Sequence, residues 1–106
     1  MKIKFVDDGE ILFDNGNRIT CYHDQECCEQ NYADFENLDD IARNTDFDEN
    51  LDFEFVEYEG FRFGNKPYQM FFVPCYSVQN GFYSDKITIR YNGEDVLSGS
   101  CQLVCS

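Results

Sequence analysis

Apolar and polar residues alternate with a period of two along much of this chain, the pattern of strands that bury one face. In "KITIRY", Ile87, Ile89 and Tyr91 fall on one side and Lys86, Thr88 and Arg90 on the other. In "LDFEFVEYE", Leu51, Phe53 and Phe55 oppose Asp52 and Glu54, and the alternation slips at Val56. Three Asn-Gly pairs, Asn15-Gly16, Asn80-Gly81 and Asn92-Gly93, separate apolar runs. Both residue types tolerate the positive φ of a two-residue hairpin turn. Hairpins are therefore predicted between "ILF" and "RITCY", between "CYSV" and "FYS", and between "ITIRY" and "DVLSG", while "FGNKP" predicts a turn from "FRF" to "YQMFFV". Only "ENLDDIARN" has helical spacing, with Asn37 as N-cap, Asp40 three residues on, and Leu38, Ile41 and Ala42 on one face. The predicted fold is mainly β (α+β): a single small domain over residues 1–106, made of antiparallel hairpins with one short helix.

Composition adds the nature of the core. Hydrophobic residues make up 42% and aromatics 17% of 106 residues, which excludes a disordered chain and suits one modest core. Eleven Phe and seven Tyr, with no Trp, predict a core built from phenyl rings. The start, "MKIKFVDDGEILF", has two lysines but lacks the apolar run of a signal peptide, and no later stretch approaches membrane-spanning length. A cytoplasmic location without membrane contact is the expectation. The six cysteines are then expected as reduced, buried thiols or metal ligands rather than a disulfide framework.

Charge changes the picture most. The net charge is −13, and between Asp24 and Glu59 fourteen acids face a single base, Arg43, so this third of the chain carries the whole imbalance. An electronegative surface of this kind disfavours direct nucleic-acid binding. It suits a basic protein surface, including the groove of a nucleic-acid-binding protein, because alternate carboxylates on a strand stand about 6.6–7 Å apart, close to phosphate spacing. The expected interaction residues are Asp46, Asp48, Glu49, Asp52, Glu54, Glu57 and Glu59. A solvated face that aids solubility is the plainer use of the same acids. "DFDENLDFEFVE" also places Asp46, Asp48, Asn50, Asp52, Glu54 and Glu57 at EF-hand ligand positions, but Leu51 stands where that loop needs Gly.

"CYHDQECCEQ" holds the only histidine and half of the cysteines. His23 and Cys27, with Cys101 and Cys105 from "CQLVC", would supply two ligand pairs for zinc, the one cofactor these residues raise. Four-residue steps put strand side chains about 13 Å apart, so zinc would require a helical turn at each pair. A thiol enzyme would use Cys27 or Cys28 activated by His23, with Asp24 or Glu26 orienting the ring. Surrounding negative charge raises a thiol pKa, the wrong direction for a nucleophile. The expectation is therefore no catalytic residue. "HDQECCE" is read as a tight connection held by side-chain hydrogen bonds, and Cys21, Cys75 and Cys101 as small buried hydrophobes in strands.

"TCYHDQECCEQNYADFENLDDI" and, much later, "NGFYSDKITIRY" resemble a family of small uncharacterised proteins from bacteriophages and bacteria. Its pattern is H-[DE]-Q-x-C-C-E, a short helical stretch and a late S-N-G-Y-Y-S hairpin. The first motif falls on His23, Asp24, Gln25, Cys27, Cys28 and Glu29, and the second on Asn80, Gly81, Phe82, Tyr83 and Ser84. Phe82 replaces the motif tyrosine, and the acidic "DFDENLDFEFVEYE" stands where the family has a short aromatic strand. The resemblance covers roughly residues 18 to 91 and brings no activity with it. It implies a phage or mobile-element setting, in which small acidic proteins often inhibit host nucleic-acid machinery by mimicking nucleic-acid charge.

Overall fold

The structure is a computed structural model and describes residues 1–24, 29–67 and 69–105. The described residues form ten strands: β1 (Ile3–Val6), β2 (Glu10–Phe13), β3 (Arg18–Tyr22), β4 (Gln30–Ala33), β5 (Asp52–Val56), β6 (Gly60–Asn65), β7 (Gln69–Gln79), β8 (Lys86–Tyr91), β9 (Glu94–Ser100) and β10 (Gln102–Cys105). A 3-10 turn at Phe35–Asn37 and a single helical turn, α1 (Asp40–Arg43), separate β4 from β5. One sheet has the order β1-β2-β3-β8-β9 and the other β10-β7-β6-β5, with β4 pairing β7. The mainly β fold of antiparallel hairpins with one short helix is thus observed, with one exception: β10 runs parallel to β7.

Two Asn-Gly pairs do what their chemistry predicts. Asn92 and Gly93 have φ of 54° and 83° and close a two-residue turn between Tyr91 and Glu94. Asn15-Gly16 joins β2 to β3. The third does not make a hairpin. Past Asn80-Gly81 the chain leaves one sheet and enters the other, so β7 and β8 never pair. Three hairpins among the described residues lack the dipeptide: β6–β7 forms at the predicted "FGNKP" turn, pairing Asn65 with Gln69, and the other two are β1–β2 and β5–β6. Asp7 shapes β1–β2 by accepting from the Gly9 and Glu10 amides, and Tyr58, at φ 64°, turns β5 into β6. The helix begins later than predicted: Asp39, not Asn37, is the N-cap, and its carboxylate accepts from the Ile41 amide at 2.9 Å.

"QMFFV" and "CYSV" belong to one eleven-residue strand, β7, although Pro74 lies inside it. A proline has no N–H to give a ladder. Pro74 is placed where that loss is harmless, at the point where β7 exchanges β6, which ends opposite it at Gly60, for β4, which starts opposite Cys75.

The core lies between the sheets. Ile11, Phe13, Ile19, Ile87 and Ile89 from one meet Phe61, Phe63, Phe71 and Val73 from the other in one buried cluster. Leu51, Phe53 and Phe55 pack against it on the predicted face of β5. Phe47 completes it from the acidic connection. Its ring is 5.7 Å from Phe13, Phe63 and Phe71, and its backbone is tied to Met1. A buried aromatic thus anchors the most charged loop in the chain. Replacing Phe47 by Ala is expected to cost about 3–5 kcal/mol, read as a lower denaturant midpoint; a change below about 1 kcal/mol would show that the loop is not held by its ring.

Candidate functional site

The seven acids singled out from the sequence lie around the β5–β6 hairpin, at its two ends and on its outer face. At one end, Asp46, Asp48 and Glu49 belong to the loop that enters β5, and all are exposed. Hydrogen bonds hold this loop. Asn65 accepts from the Asp48 amide at 2.8 Å and donates to the Asp48 and Asn50 carbonyls. The Tyr91 hydroxyl donates to the Glu49 carbonyl at 2.8 Å. Burial pushes the Tyr91 hydroxyl pKa up, and the Glu49 and Asp48 carboxylates add to the effect. Asp46 contacts the amino group of Met1 at 3.1 Å.

At the other end, Glu57 and Glu59 flank Tyr58 in the β5–β6 turn. The Tyr58 amide donates to the Ser100 carbonyl at 2.8 Å, and the Ser100 amide donates to the Glu57 carboxylate at 2.9 Å. The Glu59 carbonyl accepts from Cys75 and from the Gln102 side chain.

Between the ends, the negative strip is interrupted. Cross-strand Arg62 holds one Glu54 oxygen, and Lys66 lies 3.1 Å from the other. Asp52 accepts from the Lys66 backbone amide. The charge therefore gathers at two poles, one at each end of β5. Five residues at 3.3–3.4 Å each put them about 17 Å apart. That exceeds the ~8–10 Å over which physiological salt leaves charges coupled. In this geometry the proposed EF-hand ligands do not wrap a common point, since Asp52 and Glu54 stand on an extended strand. Among the described residues, no group of three or more His, Cys, Asp or Glu side chains is placed to hold a metal ion.

The two segments that carry the family resemblance meet at the opposite end of β7. Glu29 and Asn31 are buried, and so are Ser77 and Gln79 on the inward face of β7. The Asn31 amide nitrogen donates to the Ser84 and Lys86 carbonyls at 2.9 and 3.0 Å, and it lies 3.2 Å from His23 Nδ1. His23 Nε2 lies 2.9 Å from a Glu29 carboxylate oxygen. Ser77 donates to Asn31 at 2.5 Å, and Gln79 donates to Ser77 and accepts from the Tyr83 amide. Both nitrogens of His23 thus lie within 3.2 Å of described side chains. Of the corner expected to be held by side-chain hydrogen bonds, residues 25–28 lie outside the described residues, and His23 and Glu29 at its two ends contact each other. A cleft of about 300 Å³ beside it is lined by Tyr22, His23, Asp24, Ser84, Lys86 and Thr88. In that cleft Tyr22 donates to Asp24, and this carboxylate pushes the Tyr22 pKa up.

Cys27 and Cys28 lie outside the described residues. Cys101 and Cys105 do not converge: Cys101 is fully buried just before β10, and Cys105 is exposed at its far end. The buried neighbour of Cys101 is instead Cys75, level with it in the parallel β7–β10 register. Cys21 is only half-buried. A hydrogen bond to Cys101 and burial hold the Cys75 thiol well above its ordinary 9.0, and burial raises Cys21 too.

Sequence reasoning missed Asn31, Ser77, Gln79 and Tyr58. A trace of Ser77 and Gln79 was there: they continue the inward alternation of Phe71, Val73 and Cys75, which puts them on the buried face. No family model, no curated protein and no solved structure matches the chain.

Asn31→Ala would remove the buried amide that bonds the Ser84 and Lys86 carbonyls and the Ser77 hydroxyl, leaving Gln79 as the partner of Ser84 and Ser77, for a loss of about 1–3 kcal/mol in urea melts. An effect within about 0.5 kcal/mol would mean that water replaces the amide. For the thiols, folded-state values above the unfolded 9.0 give a stabilisation complete below that pH and lost as pH rises past it. Urea midpoints should therefore fall above about pH 9. At neutral pH, peptide-mapped alkylation should label Cys105 at once and Cys75 and Cys101 only on unfolding; prompt labelling of Cys75 would contradict the buried thiol pair.

Proposed function

We propose that the protein is a non-enzymatic, cytosolic interaction module that binds a basic protein surface through the two carboxylate poles of the β5–β6 hairpin. The observation that carries this is that Asp48, Glu49, Glu57 and Glu59 are exposed on backbone fixed by hydrogen bonds. Among the described residues, Glu54 is the only one of the seven acids within 4.0 Å of a basic side chain. Carboxylates held in place lose little entropy when a partner closes on them. The partner class is a nucleic-acid-binding protein, whose lysines and arginines are spaced for phosphates. Two poles about 17 Å apart fit two separate basic patches on that surface better than one continuous phosphate track. No helix among the described residues is long and apolar enough to cross a membrane.

The test is capture of nucleic-acid-binding proteins from host extract on immobilised protein, at low and high salt and with duplex DNA as competitor. Capture should fall steeply with salt and with DNA. It should vanish when Asp48, Glu49, Glu57 and Glu59 are all changed to Lys, with the melting temperature kept within a few degrees. Capture that ignores both salt and these changes would overturn the proposal.

A further inference from the structure

The three Asn-Gly pairs share one latent reactivity. The glycine nitrogen, once a base has taken its proton, can attack Cγ of the preceding asparagine, and glycine has no side chain to hinder the approach. In the unfolded chain the three pairs are chemically equivalent. The fold makes them unequal.

At Asn15-Gly16 the glycine amide is engaged, donating to the Phe13 carbonyl at 3.0 Å. At Asn92-Gly93 the carboxamide is engaged. Its Oδ1 accepts from the Arg18 amide at 2.9 Å, and its Nδ2 donates to Asn17 Oδ1 at 3.2 Å, which fixes Cγ against the β2–β3 hairpin. Asn80-Gly81 carries neither restraint. Among the described residues, the Gly81 amide donates to no group. Both residues are exposed, and a Cβ on Gly81 would meet nothing within 4 Å, so solvent reaches the amide freely. The Phe82 amide donates to Asn80 Oδ1 at 3.4 Å, a side-chain turn that folds the carboxamide over the Gly81 peptide. Asn15 makes the same turn with the Asn17 amide, so the bond to Gly16 is what separates the two sites.

We infer that Asn80-Gly81 is a site of spontaneous modification, at which the folded protein loses the Asn80 carboxamide and isomerises its backbone. The Gly81 nitrogen bonds to Asn80 Cγ, and the Cγ–Nδ2 bond breaks to release ammonia. Water then opens the cyclic imide at either of its carbonyls. One opening gives aspartate. The other routes the main chain through the former side chain, adding a methylene to the backbone and leaving a free α-carboxylate. One water is consumed and one ammonia released, with no oxidant or second protein in the balance.

The place of the pair gives this change a consequence. The buried Gln79 side chain spans the loop: it donates to the Ser84 carbonyl at 3.2 Å and accepts from the Tyr83 amide at 2.7 Å. It also donates to Ser77 at 2.6 Å. A methylene added at position 80 lengthens the main chain inside this clamp and pulls on the buried polar cluster. The inference is independent of the carboxylate poles.

The experiment is ageing of the purified full chain at mildly alkaline pH, read by peptide-mapped mass spectrometry and by isoaspartyl-specific methylation. In the folded protein Asn80 should convert at least tenfold faster than Asn15 or Asn92. In urea the three should convert within about threefold of one another. Equal rates in the folded protein, or fastest loss at Asn15 or Asn92, would overturn the inference. The isoaspartyl form should melt several degrees below fresh protein, and Asn80→Asp close to it, because only the former lengthens the backbone. Asn80→Ser should hold its melting temperature on ageing. An isoaspartyl form that melts like fresh protein would refute the strain on the Gln79 clamp.

Discussion

Along the inward face of β7, the side chains run Phe71, Val73, Cys75, Ser77 and Gln79, all buried. One strand thus carries the core from aromatic through thiol to hydrogen-bonding chemistry, and the other elements are arranged to match it. Against Phe71 and Val73 lie rings and branched aliphatics from both sheets, which need only shape and volume. Against Ser77 and Gln79 lie Asn31, Glu29 and His23, which need partners with defined direction. The exchange from β6 to β4 at Pro74 falls at the boundary between these two regimes.

This division explains what could be read without coordinates. The phenylalanine half was legible because area drives it: alternation at Phe53 and Phe55, or at Ile87 and Ile89, fixes which face is buried whatever it packs against. The hairpins at Asn15-Gly16 and Asn92-Gly93 were legible because turn geometry is local. Asn80-Gly81 has the same local preference, but Gln79, Tyr83 and Ser84 are held by the buried polar cluster, and that tertiary demand sends the chain across to the other sheet. The parallel pairing of β10 leaves no local signal. Nothing in "QLVC" reveals the direction of its neighbour.

The candidate site divides in the same way. The excess of acid between Asp24 and Glu59 is plain in the sequence, whereas its resolution into two poles depends on Arg62 and Lys66 reaching Glu54 across a strand pair. Phe47 was hidden among aspartates, yet it decides where Asp46, Asp48 and Glu49 point. The corner at His23 was expected to be architecture; among the described residues the ring lies between Glu29 and Asn31, and residues 25–28 lie outside them.

Gly99, in β9, lies directly under the Phe55 ring, and a methyl group there would come within 2.2 Å of it. The last strand of one layer is thereby pressed onto the last strand of the other. A larger residue at Gly99 would therefore displace the Phe55 ring, and with it the strand on which Asp52 and Glu54 stand.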